Sequence, residues 1–314
     1  MPPTRFLLAS VAAAALAAGC KSENKPAGDS AADSAAAATP GGANAEIKYA
    51  GDFPGPVGVQ LYSFREQFKG EVPATLAHVR ALGFKEVELA GTYGMTAERF
   101  KQLLDSVGLQ ATSMHVGYEQ FRDSLPAVLA MAKTLGVKYL GTAWIPHKDG
   151  PIDEALAKKT AADFNKWGAA AHDQGIQFFY HAHGYEFKPG ANGQTPMDVL
   201  MAQTDSNNVK YEMDVFWISR PGADPVAWLK KYPSRWRLLH LKDMKQGTAT
   251  NVHTGSADPD SAEVPLGTGQ IDYKNVLKTA KEVGVDKFFI EDETKDPFTT
   301  VPQSIRWIEA VKYQ

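Results

Sequence analysis

FFYHAH (178–183), YEMD (211–214), LLHLKD (238–243) and FFIEDE (288–293) share one layout, an apolar run that ends in His, Asp or Glu. Each run has the length of a short buried strand, and each carries its ionisable groups at or just before the strand's carboxyl end. In a parallel α/β protein ligands bind at that end, because the loops leaving the strands open there. Four separate strands can therefore aim ligands at one spot.

Outward from these segments the same unit repeats. Strands are predicted at 57–62, 85–90, 109–116, 137–144, 176–183, 209–216, 237–243 and 287–293, with amphipathic helices between them, such as 72–83, 97–108, 123–136 and 272–284. Gly83, Gly108, Gly136, Gly175 and Gly284 stand shortly before the next strand, where a left-handed cap ends a helix. Alternating apolar runs and helices argue for a parallel sheet covered by helices. Eight such units match a closed (β/α)₈ TIM barrel. No Gly-rich phosphate fingerprint follows the first strand, which argues against an open dinucleotide-binding sheet. Two long loops, 184–195 and 244–270, are expected to overhang the carboxyl face.

Strand parity decides which side chains can meet inside a barrel. His181 shares a face with His183, Glu212 with Asp214, His240 with Lys242, and Glu291 with Glu293. The residues nearest the strand ends make Asp214, His240 and Glu291 the favoured ligands; Glu212 is either an inner-layer group or turned outward. A cluster of buried carboxylates is costly without a cation. Carboxylate and imidazole donors without thiolate suit one divalent ion, Mn²⁺, Mg²⁺, Co²⁺ or Zn²⁺. Trp144 and Trp217 end strands and can offer flat aromatic faces to a bound ligand. His115 and Glu293 are expected beside them, lining the substrate site. Lys242 either holds a substrate oxygen or pairs with Glu212 or Glu293, while Gln60, Tyr62 and Glu88 fit inner-layer packing as well as binding.

The net charge is −3 and the pI near 6.3, which gives no electrostatic case for nucleic acid. The single cysteine, Cys20, excludes an internal disulfide framework and a thiolate zinc site. It closes the stretch MPPTRFLLASVAAAALAAGC, one Arg followed by an apolar segment too short to span a bilayer stably. The AAGC ending resembles a bacterial lipobox. That resemblance implies lipidation at Cys20, a membrane anchor in the cell envelope and, with Lys21 next, the outer membrane facing the periplasm. Residues 21–46 hold almost no large apolar side chains and read as a flexible tether. The expected organisation is a signal peptide (1–19), a lipidated cysteine and linker (20–50), and a single barrel domain (51–314).

The segments GVQLYSFRE (58–66), FYHAHGYEF (179–187), YEMDVFW (211–217), LLHLKDM (238–244), PLGTGQIDY (265–273) and FIEDE (289–293) resemble the xylose isomerase-like TIM-barrel superfamily of sugar isomerases and epimerases. The resemblance runs from about Val57 to Val311. It implies one divalent ion held by Asp214, His240, Glu291 and a strand-five group. In the family that group is a glutamate; here the position is His181, with His183 and Glu186 following. His181 or His183 is then the fourth ligand, and Glu186 or a histidine the base, with Glu291 and Lys242 completing the catalytic candidates.

The chemistry implied by the resemblance is proton removal next to a carbonyl of a non-phosphorylated sugar, giving an enediolate that is reprotonated by an isomerase or epimerase. A lyase or hydratase acting on an oxidised, 3-keto type sugar is the alternative, since it loses a leaving group from the same intermediate. A non-catalytic carbohydrate-binding lipoprotein would need only the aromatic mouth.

Overall fold

The computed structural model describes residues 45–251 and 262–313. The signal peptide, Cys20 and most of the expected linker lie outside the described residues.

Among the described residues eight parallel strands close a barrel: β1 (Val57–Gln60), β2 (Glu86–Leu89), β3 (Gln110–His115), β4 (Tyr139–Thr142), β5 (Gln177–Ala182), β6 (Val209–Asp214), β7 (Trp236–Leu241) and β10 (Lys287–Ile290). Neighbours follow chain order, and β10 pairs with both β7 and β1 to complete the ring. Two further short strands, β8 (Asp243–Met244) and β9 (Glu263–Val264), form an antiparallel ribbon outside the barrel, within the long connection after β7.

The helices form where the sequence supplies an apolar stripe and both ends. Helix α2 (Ala97–Val107) starts at Thr96, whose hydroxyl accepts the Arg99 N–H at 3.2 Å. It stops at Gly108, whose φ of 75° suits a residue without Cβ, and it buries Phe100, Leu103 and Leu104. Helix α8 (Tyr273–Val283) repeats the plan, with Asp272 as its cap and Gly284 at φ 81°. Helix α3 (Tyr118–Leu135) begins five residues before the predicted start. A non-helical Ser124 near Pro126 kinks it, so the apolar period visible from 123 onward marks only its second part.

Barrel alternation separates two kinds of core. Outward residues of β5, Phe178 and Tyr180, pack against Phe164 of the helix at Glu154–His172. Inward, Phe179, Leu238 and Phe289 form a plug that sits one layer below the ionisable residues. The plug is possible because β1 and β4 present glycine there. A Cβ on Gly141 would lie 2.5 Å from the Phe179 carbonyl, and one on Gly58 would lie 2.6 Å from the Phe289 ring.

At the amino end of the strands, part of the expected linker packs against the barrel. Arg80 Nη1 donates to the Ala45 carbonyl (2.9 Å), the Val57 N–H donates to the Tyr49 hydroxyl (2.8 Å), and Tyr49 stacks on Phe53. Composition alone misses this because Ile47 and Tyr49 are only two apolar side chains in a polar stretch.

Candidate metal centre and active site

Above the plug the strands deliver ionisable side chains in two tiers. The lower tier holds Glu88, His115, His181, Glu212 and His240, and of these only His115 is not fully buried. Glu88 is fixed by the Gln60 amide (2.8 Å) and by the Ser113 hydroxyl. His115 Nε2 lies 2.9 Å from Glu212 and 3.2 Å from Glu88. The upper tier holds Asp214, Lys242, Glu291 and Glu293, with His183 at the mouth.

Two histidines link the tiers, and each is oriented by a carboxylate. His181 meets Glu212 through Nδ1 (2.8 Å), which turns its Nε2 toward Asp214 at 3.9 Å. His240 meets Glu88 through Nε2 (2.5 Å), which turns its Nδ1 toward Glu291 at 3.1 Å. Metal-binding imidazoles are held in this way, with one nitrogen on a carboxylate and the other presented to the ion.

The residues fit a divalent cation. Asp214, His240 and Glu291 offer ligand atoms within 4.8 Å of one another. Asp214 Oδ2 is buried with no hydrogen-bond partner among the described residues, while Oδ1 accepts the Trp217 N–H at 2.9 Å. The nearest ammonium, Lys242, stays 3.7 Å from that oxygen and beyond hydrogen-bond reach, so the oxygen is costly to bury unless a closer cation completes it.

The electrostatics agree. Burial pushes Asp214 up to about 6, against the pull of Lys242. Burial and the charge of Glu88 push Glu212 up to about 7. Burial would raise Glu88 as well, but His115 and His240 hold it well below the carboxylate range. His115 is driven up to about 10 by Glu88 and Glu212 despite its burial. Burial and the neighbouring cations hold His181 well below its ordinary value. Burial is also the main reason His183 falls to about 3, with Lys242 adding to it. His181 and His183 are therefore neutral imidazoles that resist protonation and keep a lone pair open to a metal. Lys242 stays charged, since Glu291 and Glu293 outweigh the cost of burying it.

The mouth is aromatic. Trp144 is 41% exposed, stacks on His147 (4.8 Å between centroids) and meets His183 edge-on at 5.9 Å. The Trp217 ring lies 6.1 Å from that of His183.

The profile described as xylose isomerase-like TIM barrel matches residues 76–311. The chain belongs to the xylose isomerase-like TIM barrel family. An inosose dehydratase of Clostridium beijerinckii is 26% identical over 245 residues, covering 70% of this chain and 81% of that protein. A sugar phosphate isomerase/epimerase structure from Parabacteroides distasonis is 25% identical with a TM-score of 0.66, covering 80% of this chain and 96% of the other. The structure of the IolI protein with a bound zinc atom superposes with a TM-score of 0.62 at 14% identity, over 81% of this chain and 95% of that one.

In this member of the xylose isomerase-like family, His181, Asp214, His240 and Glu291 come together at the strand ends. His183, Lys242, Glu293, Trp144, Trp217 and His115 surround them. Glu186 does not join the site. Its carboxylate accepts the Tyr180 hydroxyl and the His183 backbone N–H (3.2 Å), and Tyr180 lies on the outward face of β5. The chain turns sharply after β5 at Gly184 (φ 94°), which carries Glu186 behind the strand rather than over the mouth. The site also contains two groups whose role parity alone left open. Glu88 and Glu212 both face inward and orient the imidazoles of His240 and His181. Their signal was parity itself, because Glu212 shares a face with Asp214.

Proposed function

We propose that this chain is a divalent-metal-dependent lyase that removes water from a non-phosphorylated, oxidised sugar of the 3-keto type. The observation that carries the reading is the character of strand five. It brings imidazoles to the mouth, and the carboxylate that follows, Glu186, is tied down on the outer side. Epimerisation through two matched carboxylate bases then has only Glu291. Elimination calls for unlike groups, a base for the C–H proton and an acid for the departing oxygen. The dehydratase names of relatives such as the Clostridium beijerinckii protein support the same reading.

His183, neutral at the mouth, is the group placed to accept the proton from the carbon next to the carbonyl; burial leaves it a weak base, so the step depends on acidification of that C–H by the carbonyl's surroundings. The Lys242 ammonium gives a proton to the β-hydroxyl as its C–O bond breaks, so water leaves and a double bond conjugated to the carbonyl remains. An ion held by His181, Asp214, His240 and Glu291 would supply Lewis acidity for the enolate charge, worth several kcal/mol. Trp144 and Trp217 give the ring flat apolar surface.

A sugar isomerase or epimerase is the second reading, favoured by Glu291 at the mouth and by the name of the Parabacteroides structure. Incubating the purified protein with Mn²⁺ and 3-keto-glucose in heavy water, followed by NMR, separates the two. An unsaturated ketone is expected. Deuterium uptake without loss of oxygen would replace the lyase by an isomerase, and neither change in a metal-loaded protein would make the barrel a binding protein.

We also propose a lipid anchor at Cys20 that holds the barrel at the outer membrane, facing the periplasm. The support is the AAGC junction. Palmitate labelling in cells should be lost in Cys20→Ser; labelling that persists would remove the anchor.

A further inference from the structure

Lys242 occupies a telling position. Its ammonium lies 3.0 Å from Glu291 Oε2, the same oxygen that stands 3.1 Å from His240 Nδ1. It is 3.7 Å from Asp214 Oδ2, the oxygen left without a hydrogen-bond partner. Its third partner is Glu293. The lysine thus sits on the two carboxylates that belong to the metal cluster and on one that does not.

We infer that Lys242 is a built-in counter-ion of the Asp214–Glu291 pair, displaced onto Glu293 when a divalent cation enters. The inference rests on the reading that this cluster holds metal. Two positive charges cannot share the same oxygens at a separation of a few ångström without strong repulsion, because little water screens them there. The ammonium must yield, and the surroundings leave it one direction. The backbone is pinned, since the Lys242 N–H donates to the Tyr273 hydroxyl (2.8 Å), which donates in turn to the Lys242 carbonyl (2.7 Å). Only the flexible stem can move, and its Nζ lies 5.5 Å from the Trp217 ring centroid.

The destination is prepared. The Glu293 side chain is 25% exposed against 10% for Glu291 and 0% for Asp214, so Glu293 is the outermost of the three acids. The Glu293 N–H donates to both carboxylate oxygens of Glu263, 3.0 Å each, which fastens it to the ribbon strand β9. Glu293 therefore acts as a dock for the lysine rather than as a ligand for the ion. The exchange keeps the carboxylates paired in both states and leaves the ammonium at the mouth, where the proposed acid is needed.

The test is calorimetric titration of the purified protein with MnCl₂, wild type beside Lys242→Met and Glu293→Gln, with circular dichroism as the folding control. Lys242→Met should bind Mn²⁺ more tightly by on the order of tenfold, since the variant no longer sets a like charge beside the ion. Glu293→Gln, which removes the dock, should bind more weakly. A folded Lys242→Met with wild-type or weaker affinity would overturn the inference. If Lys242→Met does not fold, unchanged affinity in Glu293→Gln overturns it and weakened affinity upholds it. No binding by any variant refutes the metal centre itself, whereas binding that appears only in Lys242→Met confirms that the lysine holds the site.

Discussion

Asp214→Asn tests whether the cluster is built for an ion at the expense of the metal-free fold. In the folded protein burial holds Asp214 at about 6, against an ordinary value of 3.8. The native state thus binds this proton more tightly than the unfolded chain does. Stability linked to the group is fully present below about pH 4, falls as the pH rises toward 6, and stays lost above that. About two pKa units correspond to about 3 kcal/mol. Asparagine keeps the Oδ1 that accepts the Trp217 N–H at 2.9 Å and cannot ionise. At pH 8 in chelator the variant should be more stable than wild type by up to about 3 kcal/mol, or about 6–12 °C in Tm for a domain of this size. The gain should shrink to about half by pH 5. Wild type should recover about 2.7 kcal/mol when Mn²⁺ is added at 100 times its Kd, and the variant little of it. Wild-type affinity should also fall about tenfold per pH unit below 6, as Asp214 takes up its proton. Thermal melts at pH 5 and 8, with chelator or Mn²⁺, read all of this. A variant that melts below wild type at pH 8 in chelator, or gains as much from Mn²⁺, would refute the reasoning.

Glu186→Ala should cost about 1–3 kcal/mol, because the Tyr180 hydroxyl and the His183 N–H lose a buried acceptor. Its Mn²⁺ affinity should match wild type, since the carboxylate lies behind β5; a tenfold loss in titration would return Glu186 to the site. Gly141→Ala should destabilise by about 1–3 kcal/mol in urea melts, since the new Cβ would press on Phe179 in the plug. A variant as stable as wild type would mean that the plug has slack.

Strand parity carried most of the site. Because inward positions recur every second residue, HxH, ExD, HxK and ExE each declared two side chains on one face, and the four strand ends declared where they meet. Glu186 escaped this rule because it lies beyond the strand, where the backbone turn at Gly184 rather than alternation sets direction. Glu88 was ambiguous for another reason: it stands on β2, far from the other acids in the chain, and only barrel closure brings it within 2.5 Å of His240. The α3 kink and the β8–β9 ribbon were likewise invisible to a reading based on apolar period. A break at Ser124 interrupts that period, and two-residue strands are too short to show one.

By itself the sequence determined the repeat of strand and helix, hence the parallel barrel, and most of the ionisable groups that face its interior, because both follow from local periodicity. The tertiary structure decided the pairing among those groups. Which nitrogen of His181 and His240 a carboxylate holds, which oxygen of Asp214 is left open, and where Lys242 rests depend on distances between strands far apart in the chain. Those distances are fixed only when the ring closes and Phe179 and Phe289 seat against glycines.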